Sequence, residues 1–269
     1  MLVENLAGLT LHSWQLFLIS LAVLWCASYF GASVVTRLRR PEAAGTEDVR
    51  MILGATLTLL GLIIGFTLSM AIGGYNTRQS NEAAEAVAIA TAFNRSDLLP
   101  ASEATALRPL LAQYLDERLQ FYRTHDRAQL QIVGEKTSRL KHEMWGTVVR
   151  GAETQPTPLA ALAVSGVGDL LTSDANTQAG WRSQIPLAAW ALMTAIAVCC
   201  NVLIGYCAGN RKHRALHIVL PFVISVSFTL IGDIDVPGRG AIHVSPVNVE
   251  RIAGMVHAPH SPLQPDQSR

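Results

Sequence analysis

Residues 51–75 read MILGATLTLLGLIIGFTLSMAIGGY, a run without Asp, Glu, Lys or Arg. At ~1.5 Å rise per residue it is long enough as a helix to cross the ~30 Å hydrocarbon layer of a bilayer, where only a helix or a closed barrel satisfies the backbone. Working outward, three further runs lack those four residue types: Leu11 to Thr36, Ser183 to Asn210 and Ala215 to Gly232. The spans are predicted near residues 14–36, 51–74, 185–208 and 215–232, the fourth barely long enough to cross. The expected fold class is all-α: a polytopic membrane protein with four transmembrane helices and a helical extramembrane domain between spans two and three. The corresponding segments are a first helix pair (1–75), the helical domain (76–182), a second helix pair (183–232) and a C-terminal tail (233–269).

Composition agrees, since half of the residues are hydrophobic and 15% are charged, against about 25% charged in an ordinary soluble domain. The 21 Lys and Arg are interleaved with acids or gathered beside span ends, so no basic face for nucleic acid is expected. The partners expected instead are the lipid bilayer, further copies of the same chain and small ions. Cys26, Cys199, Cys200 and Cys207 all fall inside spans, where a free cysteine behaves as a small apolar residue, so neither a disulfide nor a metal site is expected. No phosphate-binding glycine loop, metal-ligand cluster or nucleophile elbow is present, and Ser165 lacks the first glycine an elbow needs. The chain does not read as an enzyme, and no cofactor is expected.

No basic residue precedes the first run, while Arg37, Arg39 and Arg40 follow it, the reverse of a secretory signal. The run is read as a retained anchor. Arg37, Arg39, Arg40 and Arg50 in one short loop, with Arg211, Lys212 and Arg214 in the other, assign both loops to the cytoplasm. By this rule residues 76–182 and both termini lie on the opposite side of the cell's inner membrane.

The segment between spans two and three has helical periodicity. Ala and Glu dominate residues 82–92, so span two is expected to continue as one long helix towards Pro100, with Gly73 and Gly74 as a place to bend. Leu107, Leu110, Leu111, Tyr114, Leu115, Leu119 and Tyr122 form an apolar stripe on a second helix, with Ser102 as the expected N-cap. Leu130, Val133, Leu140, Met144 and Val148 mark a third helix, ending near Gly151. Thr157 followed by Pro158 announces a fourth.

Two sets of residues stand out as site candidates. In span two, Gly61, Gly65, Ser69 and Gly73 repeat every four residues; such a stripe admits close approach of another helix, either from the same chain or from a second subunit, or else forms a pore wall. Phe66 beside it offers a hydrophobic constriction. Asp233, Asp235 and Arg239 follow the fourth run and read as a polar cluster at the membrane boundary, structural or else a cation site or a gate lock, while Arg95 and Asp97 near the end of the long helix read as polar anchors on the same side. Asn201, within span three, is expected to hydrogen-bond another helix.

Leu60 to Pro100, with its Gly-Leu-Ile-Ile-Gly-Phe-Thr-Leu-Ser core and the passage containing Arg95, Asp97, Leu98, Leu99 and Pro100, together with Asp233 to Ser245, resembles the bacterial bestrophin-like membrane proteins, a family known as a domain of unknown function. The resemblance covers residues 50–250. It implies kinship to bestrophins, pentameric anion channels with two spans, a large helical domain and two further spans, whose large domain and termini are cytoplasmic. The loop arginines argue for the opposite sidedness, and the sequence reading follows them. Two functions fit: an oligomeric ion (anion) channel, or a non-conducting membrane scaffold or sensor that binds a partner through its helical domain.

Overall fold

The computed structural model describes residues 13–35, 43–124, 126–207, 216–237 and 242–257. All of the elements among them are helical: α1 (Ser13–Phe30), which runs on as a π-helical turn (Gly31–Val35), α2 (Ala43–Arg95), a 3-10 turn (Ser96–Leu98), α3 (Ala101–Arg123), α4 (Arg127–Thr154), α5 (Pro158–Arg182), α6 (Leu187–Cys207), α7 (Leu216–Asp235) and α8 (Val247–Val256). The chain forms two compact units, Met1–Tyr75 with Ser183–His243 and Asn76–Arg182 with Val244–Arg269. Four helices carry stretches long and apolar enough to cross a membrane. The protein is an all-α polytopic membrane protein with a helical extramembrane domain between its second and third spans.

In the first unit, α1 packs chiefly against α7 and α6. Leu24, Leu60, Met193, Ala197, Cys200, Ile224, Phe228 and Ile231 come from all four spans and share one apolar cluster. Phe17 meets Phe222 edge-on at 5.8 Å, and Trp190 meets Phe228 at 6.1 Å. The outer surface is apolar as well: Trp25, Tyr29, Ile52, Leu62, Leu192, Ile218 and Phe222 are exposed, which suits hydrocarbon and not water. Hydroxyls that would be stranded there fold back onto their own helix, Thr56 to Ile52 O, Thr58 to Gly54 O, Thr194 to Trp190 O and Ser227 to Val223 O, keeping polar atoms out of lipid.

Among the described glycines, those where a side chain would meet backbone most closely lie where α1 ends against α6. A methyl group added to Gly31 would overlap the Val202 carbonyl oxygen, and one added to Gly205 would overlap the Ser28 carbonyl oxygen. Only glycine lets the two backbones meet there.

The fourth span differs from its expected boundary. A sequence reading ends the run before Asp233, yet α7 continues through Asp233 to Asp235, because both carboxylates meet donors there. Ser13 donates its hydroxyl to Asp233, the Ile242 N–H donates to it at 3.0 Å, and the Ile185 N–H donates to Asp235 at 3.0 Å. Asn201 also departs from expectation. Its amide donates to Ala197 O in its own helix at 2.8 Å, and Oδ1 meets no hydrogen-bond donor among the described residues.

In the second unit, the C-terminal part of α2 buries Arg78, Glu82, Glu85, Ala86, Ile89 and Ala92, a helical stripe at three- and four-residue spacing that mixes charge with apolar groups. The helix runs unbroken through Gly73 and Gly74. α3 buries Leu107, Leu111, Tyr114, Leu115, Arg118 and Tyr122 and packs most extensively on α4, which packs in turn on α5. Pro100, not Ser102, stands at the N-cap of α3; Ser102 is already inside the helix and donates its hydroxyl to Glu103. Asp126 caps α4 by accepting from the Ala128 N–H at 3.2 Å, and Thr157 caps α5 by accepting from the Ala160 N–H at 3.1 Å. α8, an element the sequence reading did not assign, rests on α3 through Val249 and Ala253.

Candidate functional site

Two faces of α2 have different fates between Met51 and Tyr75. Leu57, Leu60, Ile64, Leu68 and Ala71 turn into the apolar cluster of the first unit. The small residues lie roughly a third of a turn away, as helical geometry requires. A Cβ built on Gly61, Gly65 or Gly73 meets nothing within 4 Å among the described residues, Ser69 is exposed, and Phe66 on the border of the stripe is 63% exposed. Among the described residues, the close approach of helices occurs at Gly31 and Gly205 and not at Gly61 or Gly65.

The charged candidates separate into different contacts. Arg95 lies across Gly166, donates to Leu162 O at 3.3 Å and stands 3.8 Å from Asp169, while Asp97 pairs with Arg108. Arg95 and Asp97 therefore serve different partners. Asp233 and Asp235 are nearly buried, at 8% and 7% exposure, and accept from the groups named above. Arg239 lies outside the described residues. Among those residues no group of His, Cys, Asp and Glu is placed to hold a metal.

The strongest electrostatic feature escaped the sequence reading altogether. Arg118 of α3, 2% exposed, donates from Nε and Nη2 to both oxygens of Glu85 on α2, itself fully buried. Glu85 also accepts from Tyr122 at 2.8 Å, Thr177 at 3.2 Å and Tyr114 at 3.4 Å. On its other side, Arg118 Nη1 stands 3.3 Å from Asp174 Oδ1, at ion-pair distance but without hydrogen-bond alignment. Asp174 Oδ2 accepts from Lys141 and, at 2.9 Å, from Gln178. The Phe121 ring covers the guanidinium at 4.3 Å.

Two carboxylates and two cations thus meet at a point shared by α2, α3, α4 and α5, and their formal charges cancel. Burial alone disfavours the Arg118 cation, but attraction to Glu85 outweighs it and raises its pKa above the ordinary arginine value. Burial, followed by the Glu85 charge, raises the Tyr114 and Tyr122 phenols well above their usual range. Such a network fixes how four helices register, because each member is unfavourable in the interior without the others. Its signal in the sequence is a polar residue at each of three buried stripe positions, Glu85, Arg118 and Asp174, far apart along the chain.

The family model described as Bestrophin-like domain matches residues 17–249. Crystal structures of a bacterial Bestrophin homologue from Klebsiella pneumoniae share the fold. A Trp-to-Ala variant is 13% identical, with 89% of this chain and 96% of that one covered and a TM-score of 0.64. A Leu-to-Thr variant is 12% identical, with 90% and 99% covered and a TM-score of 0.65. The structure solved by zinc phasing is 14% identical, with 90% and 96% covered and a TM-score of 0.63. No curated protein matches the sequence. At such identities the structural likeness speaks for the fold, while the family model spans most of the chain: it belongs to the Bestrophin-like family.

Proposed function

We propose that the protein is an oligomeric ion channel of the inner membrane that conducts anions, with the Gly61, Gly65, Ser69 and Gly73 face of α2 lining a central pore and Phe66 as its hydrophobic constriction. The supporting observation is that a Cβ built on Gly61 or Gly65 meets nothing within 4 Å among the described residues, whereas Leu60, Ile64 and Leu68 pack into the apolar cluster. A small-residue face left open by its own fold suits a second subunit or a water-filled lumen better than lipid. Family membership supports the channel class, and the anion preference rests on kinship to bestrophins. Residues 51–75 contain no charged side chain, so control by wetting and dewetting at Phe66 fits better than a charged ring.

Purified protein in detergent is expected to run as an oligomer, a pentamer by kinship, and to release chloride from loaded vesicles after reconstitution. A monomer or dimer without flux overturns the channel in favour of a scaffold or sensor. The loop arginines favour residues 76–182 lying outside the cytoplasm. An export-dependent phosphatase fused at Gly134 is then active, and a cytoplasm-dependent fluorescent reporter fused at Thr46 is bright. The reverse pattern gives the bestrophin sidedness and leaves the channel reading standing.

A further inference from the structure

The two ends of α8 are held on the helical domain by different means. Near its start, Val249 is fully buried, and Glu82 of α2 accepts from the Asn248 and Val249 N–H groups. At its other end His257 stands at the C-cap, its backbone N–H donating to Ala253 O at 3.0 Å, and its imidazole Nε2 lies 3.0 Å from Asp116 Oδ1 of α3. The last turn of α8 carries no basic residue of its own. The imidazole is therefore the group placed to complement the negative end of the helix dipole.

One proton decides how strongly this end is held. Charged, the imidazole pairs with Asp116 and complements the free carbonyls of the last turn; neutral, it keeps at most a hydrogen bond. Among side chains at their ordinary values only imidazole changes charge between about pH 5 and 8, and α2, α3 and α8 contain no histidine. The other charges near the contact have partners elsewhere: Glu117 meets Lys136, Arg118 meets Glu85 and Asp174, and Arg123 meets Glu250. On α3 the neighbours of Asp116 at three and four residues, Ala112, Gln113, Leu119 and Gln120, are uncharged. On α8, Arg251 is exposed and lies six residues back from His257, beyond such neighbours. Asp116 is thus the charge that His257 meets.

We propose that α8 is a pH-dependent clasp: protonation of His257 tightens its docking on α3, and loss of that proton as the pH rises through neutrality loosens it. The pair is half-exposed, so each contribution is small, but both act on the same short element. With 10 residues, α8 is too short to persist as a helix alone in water, so its order reports its docking. Loosening frees Val249 and Ala253 together with the α3 surface that they cover.

Backbone amide exchange of residues 247–256 in the full chain in detergent, referred at each pH to the rate of an unstructured peptide, tests it. Protection is expected to be about three- to tenfold greater at pH 6 than at pH 8.5, the combined effect of a charge at a helix end and a surface ion pair. His257→Gln should hold protection at the low level at both pH values, and His257→Arg, a cation throughout, at the high level. Asp116→Asn should keep only the part of the dependence that the helix end supplies. Protection independent of pH in the parent overturns the proposal, as does a dependence that persists in His257→Gln or His257→Arg. An undiminished dependence in Asp116→Asn overturns the part assigned to Asp116.

Discussion

Glu82 holds the start of α8 from 166 residues away: one oxygen accepts from the Asn248 N–H at 2.9 Å and the Val249 N–H at 3.0 Å, and the other from the Asn248 side-chain amide at 2.7 Å. The carboxylate does the work of an N-cap, which α8 lacks locally because Pro246 at that position offers no side-chain acceptor. A negative charge against the first turn also complements the helix dipole. Farther along, Arg123 pairs with Glu250 at 2.8 Å on the exposed surface, a weaker tether.

Glu82→Ala is therefore expected to destabilise the docking of α8 by about 1–2 kcal/mol, the usual range for a lost cap. Amide exchange of residues 247–256 checks it: protection should fall there first. Arg123→Ala should change it little. Equal loss in the two variants would mean that the surface ion pair, and not the cap, secures α8.

At the centre of the helical domain, Arg118→Met leaves Glu85 without a cation, while Asp174 keeps Lys141. The expected cost is about 3–5 kcal/mol, as for other buried pairs broken on one side. Glu85→Gln with Arg118→Met should cost clearly less than the sum of the two single changes, because the first removes one of the charges the second leaves uncompensated. Thermal unfolding of the four proteins measures the coupling, and strict additivity would contradict a shared network.

Tyr114 and Tyr122 set an alkaline limit. Their folded pKa values lie well above the ordinary phenol value of 10.0, by burial first and by Glu85 second. Below about pH 10 both states keep these protons; above it the unfolded chain releases them while the folded chain holds them, so stability falls as pH rises. Denaturant midpoints measured from pH 9 to 11.5 should decline above about pH 10, and Tyr122→Phe should make the decline shallower.

The spans were legible because a run without charge has only one stable use at that length, and family likeness was legible in Leu60 to Pro100. The buried network was not. Arg118 interrupts an apolar stripe that a sequence reading assigns to Leu110 and Leu119, both only half-buried in the structure, and nothing local shows that Glu85 and Asp174 arrive to neutralise it. A charge on such a stripe reads as solvated until its partners are known. Asp233 shows the same limit: carboxylates mark the end of an apolar run, yet donors from Ser13 and Ile242 let the helix continue.

The glycines divide in the same way. Gly31 and Gly205 are single residues in distant spans, without the four-residue repeat that draws attention to α2, yet their backbones touch those of the partner helices. Gly205→Ala is expected to destabilise the chain by several kcal/mol, since a methyl meets backbone that cannot move aside. Gly61→Ala should leave monomer stability unchanged or slightly raised, as alanine favours a helix by about 1 kcal/mol. Unfolding in detergent at concentrations that hold the protein dissociated compares the two.

The open face of α2 then makes a prediction about assembly and flux. A pore wall tolerates no bulk at its narrow part, so Gly65→Leu should reduce oligomer formation or chloride flux more than Leu62→Ile, a volume-conserving change on the neighbouring line of the helix. Phe66, 63% exposed, is the largest side chain beside the stripe, and a hydrophobic constriction passes ions only when wet. Phe66→Ala should raise flux without altering the oligomer, whereas a lipid-facing phenylalanine would change neither. Size-exclusion profiles and vesicle efflux on the same preparations separate the outcomes: lost assembly in Gly65→Leu with raised flux in Phe66→Ala assigns the glycines to the subunit contact and the ring to the lumen. Unchanged assembly and flux in both variants would turn this face to lipid and remove the pore from α2.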